Sequence, residues 1–363
     1  MNRGVHSSTL SIRSYENALI RIGPLAIATI GLVVLIAWIY DIPQLKSIIP
    51  DAPSMKFSTA VAFICSGVAI YFVLELLTSK HRIPSAASQV ILPAAILIII
   101  LFMSTHIASA VLSRPSGIDN LFVKEAQDTP FTASPGRPSG VTMTNFLLIA
   151  VATTFAITQH SSMKKILSIM GIVIGLSAAI ALIGHAVGVP ILYYALEGVT
   201  TGMAIHTAVL FLVVGLTFVF LSRKTGQTTP ESNQSKNSTL ELLQKNRIVS
   251  IRTKFSGLLL VVSIVPILFV GGIALNNASS LPTEYVGGSI AVLGVATAVS
   301  ATIFALALSH SILKPLFALR QAMNEVTNGN YEVAIPIQST DEIGLLAQNF
   351  SVMRTRLLGL TVI

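Results

Sequence analysis

The chain has 363 residues, 53% of them hydrophobic and only 10% charged, with a formal net charge of +8. Soluble domains carry about a quarter charged residues, so this composition excludes an ordinary water-soluble enzyme and points to several bilayer spans plus one small soluble module. Nor does the positive balance mark a nucleic-acid binder: Lys and Arg fall in short runs between apolar blocks rather than on one basic face.

The segment 1–21 is polar and lacks a small-residue cleavage site behind a short apolar core, so the first span is expected to remain as an anchor. Crossing the hydrocarbon takes about 20 apolar residues. Eight stretches qualify: 22–40, 57–77, 90–112, 143–159, 166–187, 203–221, 255–275 and 290–310. None has a charge at its centre, and Glu75 lies near an end. The single cysteine, Cys65, has no partner and reads as a small buried hydrophobe. With the N-terminus inside, the inner segments hold 18 Lys and Arg; the outer loops hold five, namely Lys46, Lys56, Arg114, Lys124 and Arg137. That bias predicts a plasma-membrane protein with both termini in the cytoplasm.

The first six spans (22–221) form three hairpins whose second helices open alike. Met55-Lys-Phe-Ser58-Thr59-Ala60, Val141-Thr-Met-Thr144-Asn145-Phe146 and Met203-Ala-Ile-His206-Thr207-Ala208 align, and Trp38, His106 and His185 fall near the outer ends of the preceding helices. The middle hairpin has a longer outer loop containing Gly117-Ile-Asp119-Asn-Leu-Phe122. Such symmetry also occurs in transporters, and a transporter with a regulatory tail is the competing reading. Its weakness is the lack of ionisable groups at span centres. A lipid-directed enzyme is a third reading, but no nucleophile or acidic partner accompanies the histidines at depth.

His106, His185 and His206 share a similar outer depth, with Met203 and other methionines nearby. Imidazole and thioether suit copper or haem iron, so a metal or haem site there is one expectation. Hydrogen bonding between helices is the commoner use of such side chains in membranes and is the favoured one; the sequence requires no cofactor. His81 and His160 border inner loops, and His310 reads as a juxtamembrane anchor.

Residues 222–254 form an inner linker whose polar run 225–239 has almost nothing to bury. The pair 255–310 follows; Pro266 and Gly271-Gly272 in its first span are candidate kink points. Beyond it, 311–363 turns soluble and heptad-patterned. Leu316, Leu319, Met323 and Val326 share one helical stripe; Asn328-Gly329-Asn330 stops that helix, Gly329 suiting a left-handed residue. Val333, Ile335 and Ile337 alternate through a connector. A second helix opens at Thr340-Asp341-Glu342, where acids favour the helix dipole, and carries Ile343, Leu346, Phe350, Met353, Leu357 and Leu360 on one stripe. Two short stripes of this kind close a core as a dimer.

Residues 311–363 resemble a HAMP domain, the relay of histidine kinases, chemoreceptors and some cyclases. The resemblance rests on Pro315 just after the membrane, Gly329 in the connector, and Asp341-Glu342-Ile343-Gly344-x-Leu346 with Phe350 and Met353 behind it. It implies a parallel dimer in which Pro315 bends the start of the first helix and Glu342 ties the second helix to it. Arg252-Thr-Lys254-Phe255 resembles the approach to the first membrane helix of such receptors. The block 22–221 is similar to six-helix sensory regions ahead of bacterial kinases and diguanylate cyclases, on Gly117-Ile-Asp119, Pro135-Gly-Arg137 and Thr201-Gly-Met203-Ala-Ile-His206-Thr207-Ala208, with Asn145-Phe146 departing from an expected Thr-Ala.

The expected architecture is therefore all-α: a polytopic bundle of about eight spans (three hairpins plus one pair), then a HAMP four-helix coiled coil formed in a dimer. The expected function is the sensory and relay part of a signal-transduction receptor, of the histidine kinase type in the first place and chemoreceptor or cyclase input in the second. No catalytic motif is present. The lipid bilayer, a second copy and a downstream effector are the implied partners, and the unfinished apolar pattern at Ile363 implies that an effector follows.

Overall fold

The computed structural model describes residues 3–78, 86–111, 118, 125, 131–157, 163–193, 200–224, 313–335 and 342–361, with side chains except those of 3–15, 78, 86–90, 314, 360 and 361. Among these residues there is no strand. The long helices are α1 (Arg3–Ile39), α3 (Phe57–Thr78), α4 (Ala86–Val111), α5 (Gly140–Ile157), α6 (Met163–Val187) and α7 (Ile205–Lys224), with a four-residue helix α2 (Pro43–Lys46) and a 3-10 turn at Pro190–Tyr193. In hydrocarbon every backbone polar group needs an internal partner, so apolar runs of this length fold as helices. Six of them are long and apolar enough to span: Glu16–Ile39, Phe57–Leu77, Ile91–Val111, Gly140–Ile157, Met163–Val187 and Ile205–Lys224. This is a multi-pass membrane protein. The expected spans at 255–275 and 290–310 lie outside the described residues.

Of the boundaries that differ from the sequence reading, two have a local cause. The first span starts at Glu16 rather than at 22, because polar contacts hold this part of α1 beside the end of α7: Arg223 lies 3.8 Å from Glu16, and Lys224 donates to Asn17 at 3.0 Å. The fourth starts at Gly140 rather than 143 because Ser139 caps it, its Oγ accepting from the Thr142 amide at 3.1 Å.

The helices form a closed ring. α1 packs on α3, α3 on α4, α4 on α5, α5 on α6, α6 on α7, and α7 returns to α1, while α3 also meets α5 across the interior. Three fully buried rings knit α3, α5 and α7 together: Phe63 lies 4.8 Å from Phe146 and 4.9 Å from Phe211, and Phe146 lies 4.9 Å from Phe211. Ile169, Ile172, Leu176, Ile180 and Ile183 of α6 stay exposed, as a lipid-facing surface should.

The hairpin repeat has a physical basis. In the first hairpin a Cβ on Gly67 would sit 2.5 Å from the Pro24 carbonyl oxygen; in the third, one on Gly215 would sit 2.7 Å from that of Gly171. Gly67 and Gly215 occupy matching repeat positions, and small residues let membrane helices approach closely. The middle hairpin has Thr153 there, its hydroxyl turned back to the Ile149 carbonyl at 2.8 Å. Two further helices, α8 (Lys314–Thr327) and α9 (Glu342–Thr361), pack against each other.

Candidate functional site

Loop 40–56 and the described residues 118, 125, 131–139, 188–193 and 200–204 share one end of the bundle, here termed the mouth; the opposite end carries Arg21, Lys164, Lys165, Arg223 and Lys224. Matching positions make matching bonds at the mouth. Trp38 Nε1 donates to the Met55 carbonyl at 2.8 Å, and His185 Nε2 to the Met203 carbonyl at 2.8 Å. A carbonyl only accepts, so His185 carries its proton on Nε2. Met203 thus meets His185 through its backbone. The bond joins the end of α6 to the segment that leads into α7.

Tyr193 stacks on His185 with ring centres 4.2 Å apart and 3° between planes, and its carbonyl accepts the Met203 amide at 2.9 Å. Burial pushes the Tyr193 phenol above its usual range. His206 is 6% exposed, and neither ring nitrogen has a hydrogen-bond partner among the described residues. His106 is fully buried on α4. Among the described residues no three His, Cys, Asp or Glu side chains gather as a metal would require.

The loop of the middle hairpin binds the other two hairpins. Phe131 sets its ring edge-on to Tyr193 at 5.8 Å, and its carbonyl accepts the Gly202 amide at 2.9 Å. Phe131 holds φ at 52°, a left-handed backbone that is rare for a bulky residue. Next to it, Thr132 Oγ1 accepts from Lys56 Nζ at 2.8 Å. Lys56, 2% exposed, is paired with the Glu125 carboxylate, which also accepts from Ser54 Oγ at 3.1 Å and from the Gly136 amide at 2.6 Å. Burial lowers the Lys56 ammonium below the usual lysine range, while Glu125 opposes that shift. Arg137 reaches Ser109 of α4 at 2.7 Å. Sequence reasoning counted Lys56 as a loop charge and missed Glu125, which lies 69 positions away with no motif to flag it.

In the soluble module, α8 starts at Lys314 with Pro315 in its first turn, where a missing amide costs nothing. Gly329 ends it with φ at 90°. Leu319 and Val326 of α8 form one small core with Ala347 and Phe350 of α9, walled by Val333 and Ile335 of the connector. The Arg354 guanidinium holds the Val333 carbonyl.

Residues 307–359 match the HAMP domain family. No curated protein and no solved structure matches the chain. A HAMP domain joined to six membrane-length helices makes this a membrane signal-transducing sensor, with the bilayer and signalling-relay components as its partners. Within the HAMP domain Pro315, Leu319, Ile343, Gly344 and Phe350 are buried, and Glu342 is half-buried; Leu316, Met323, Leu346 and Met353 are exposed. Asp341 lies outside the described residues.

Proposed function

We propose that this chain is the sensory and relay portion of a sensor histidine kinase, set in the plasma membrane with both termini in the cytoplasm and working as a homodimer through its HAMP helices. The observation that carries the dimer is the split of each apolar stripe. Leu319 and Val326 are 2% and 6% exposed, yet Leu316 and Met323 on the same stripe are 46% and 40% exposed. On α9, Ile343 and Phe350 are 6% and 8% exposed, whereas Leu346 and Met353 are 50% and 48% exposed. One copy buries one edge of each stripe. A second copy covers the other edge and completes four helices.

A relay needs two packings of nearly equal free energy that input and output both bias. The input is the mouth, where His206 keeps unspent hydrogen-bonding capacity and the 131–132 strap touches the flanking hairpins. The kinase assignment follows the resemblance of the HAMP segment and six-helix block to such receptors. Reading the encoding frame past codon 363 tests it: kinase dimerisation and ATP-binding domains support it, and a cyclase or chemoreceptor tail overturns it.

The dimer is tested in native membranes. In a Cys65→Ala background, Leu346→Cys and Leu316→Cys should each crosslink to a second copy, while Gln348→Cys crosslinks more slowly. Equal, slow crosslinking at all three positions overturns the dimer. The Leu346-to-Leu316 yield ratio, read again with His206→Phe, should move if the mouth is the input; an unchanged ratio removes the mouth from that role.

A further inference from the structure

At the basic end a groove of about 740 Å³ runs along the seam of α1 and α7, within the range of small-ligand clefts. Its walls, including Ala18, Ile22, Ala26, Val213 and Phe220, are almost wholly apolar, and Glu16 and Arg223 stand at its rim. From Glu16 to Ala26, and from Val213 to Arg223, each helix rises roughly 15 Å. That is about half of a 30 Å hydrocarbon core. The groove is one leaflet deep, with charge at its shallow end.

We propose that the α1–α7 groove binds an anionic glycerophospholipid, one acyl chain lying between Ala18 and Ala26 and the phosphate resting against Arg223 and Lys224. The rim carries Arg223, with Lys224 next to it on Asn17 of α1, against one carboxylate, Glu16. Arg223 and Glu16 stand 3.8 Å apart with side chains 67% and 28% exposed, so the guanidinium keeps donors to spare. Lys224 donates to neutral Asn17, which brings it no counter-charge among the described residues. The same cations argue against other occupants. The apolar stretch 255–275 is preceded by Arg247, Arg252 and Lys254, and a second copy packed on this seam would set like charges face to face. Residual positive charge at the membrane surface attracts anionic headgroups.

The test stands apart from the relay reading, because it measures lipid alone. The full chain is placed in phosphatidylcholine vesicles with a trace of photoactivatable phosphatidylglycerol or photoactivatable phosphatidylcholine, and labelled peptides are mapped. The phosphatidylglycerol probe should favour peptides 16–26 and 213–223 by about fivefold per engaged cation. R223Q with K224Q should remove that preference and leave phosphatidylcholine labelling unchanged, and A26L should lower labelling by both probes. Glu16→Gln should raise the preference, a gain that misfolding does not produce. Equal labelling by the two probes, or labelling of the exposed α6 face around Leu176 as strong as that of the groove, would mean annular lipid only and overturn the site.

Discussion

The outer two hairpins and the middle one are built from the same repeat and do different work. In the first and third, a glycine draws the helices together and a ring N–H clips the opening carbonyl of the second helix: Gly67 with Trp38, Gly215 with His185. The middle hairpin replaces that glycine with Thr153 and the repeat alanine with Phe146, which fills the centre between Phe63 and Phe211. Its long loop then supplies Glu125, Phe131 and Thr132 to the neighbouring hairpins. The repeat makes the scaffold, and the departures from it make the joints.

The comparison breaks most visibly at the buried ion pair. Lys56→Met removes the cation paired with buried Glu125, which costs about 3–5 kcal/mol. Unfolding of the purified protein in mixed micelles should show that loss, and K56M with E125L should recover much of it. A joint that is merely decorative would leave the single variant unchanged. Next come the glycines. Gly67→Leu and Gly215→Leu force apart helices already in contact and should each cost about 1–3 kcal/mol by the same measurement, whereas Thr153→Gly in the middle hairpin should cost less than either. Equal losses at all three would mean that the hairpins pack alike. The smallest effect sharpens the pairing of Trp38 with His185. Trp38→Phe and His185→Phe each delete one hydrogen bond from a helix end to the loop ahead of the next helix, on the order of 0.6 kcal/mol as for hydrogen bonds between membrane helices, and should cost similar amounts. A much larger loss at His185 would show that it does more than Trp38.

Much of this was legible in the sequence. The six described spans were visible as apolar runs because a bilayer forces such runs into helices, and the HAMP pattern showed because stripe, Gly329 and Asp341-Glu342 are local. The repeat placed Trp38 and His185 at matching depths before any contact was known. What stayed hidden is non-local. Lys56 was countable as a basic loop residue, but nothing marks Glu125 as its partner, since loop residues carry no period to follow. The part played by Asn145-Phe146 was hidden for a related reason: a mismatch to a repeat looks like drift until Phe146 is seen between two other rings and Asn145 bonded to Ser177 at 2.9 Å. Glu16 and Asn17 joined the first span through α7, which no reading of α1 alone would show.

The strap at 131–132 has a mechanical consequence. It fastens the mouth with one backbone bond and one lysine contact to the two outer hairpins, and beside it lies a fully buried ion pair. At the opposite end the described cross-helix ties between α1 and α7 are exposed side-chain pairs, which are worth little. The α1–α7 seam is therefore fastened less firmly at its basic end than the hairpins are at the mouth, and tilting either helix about the mouth would be opposed least there.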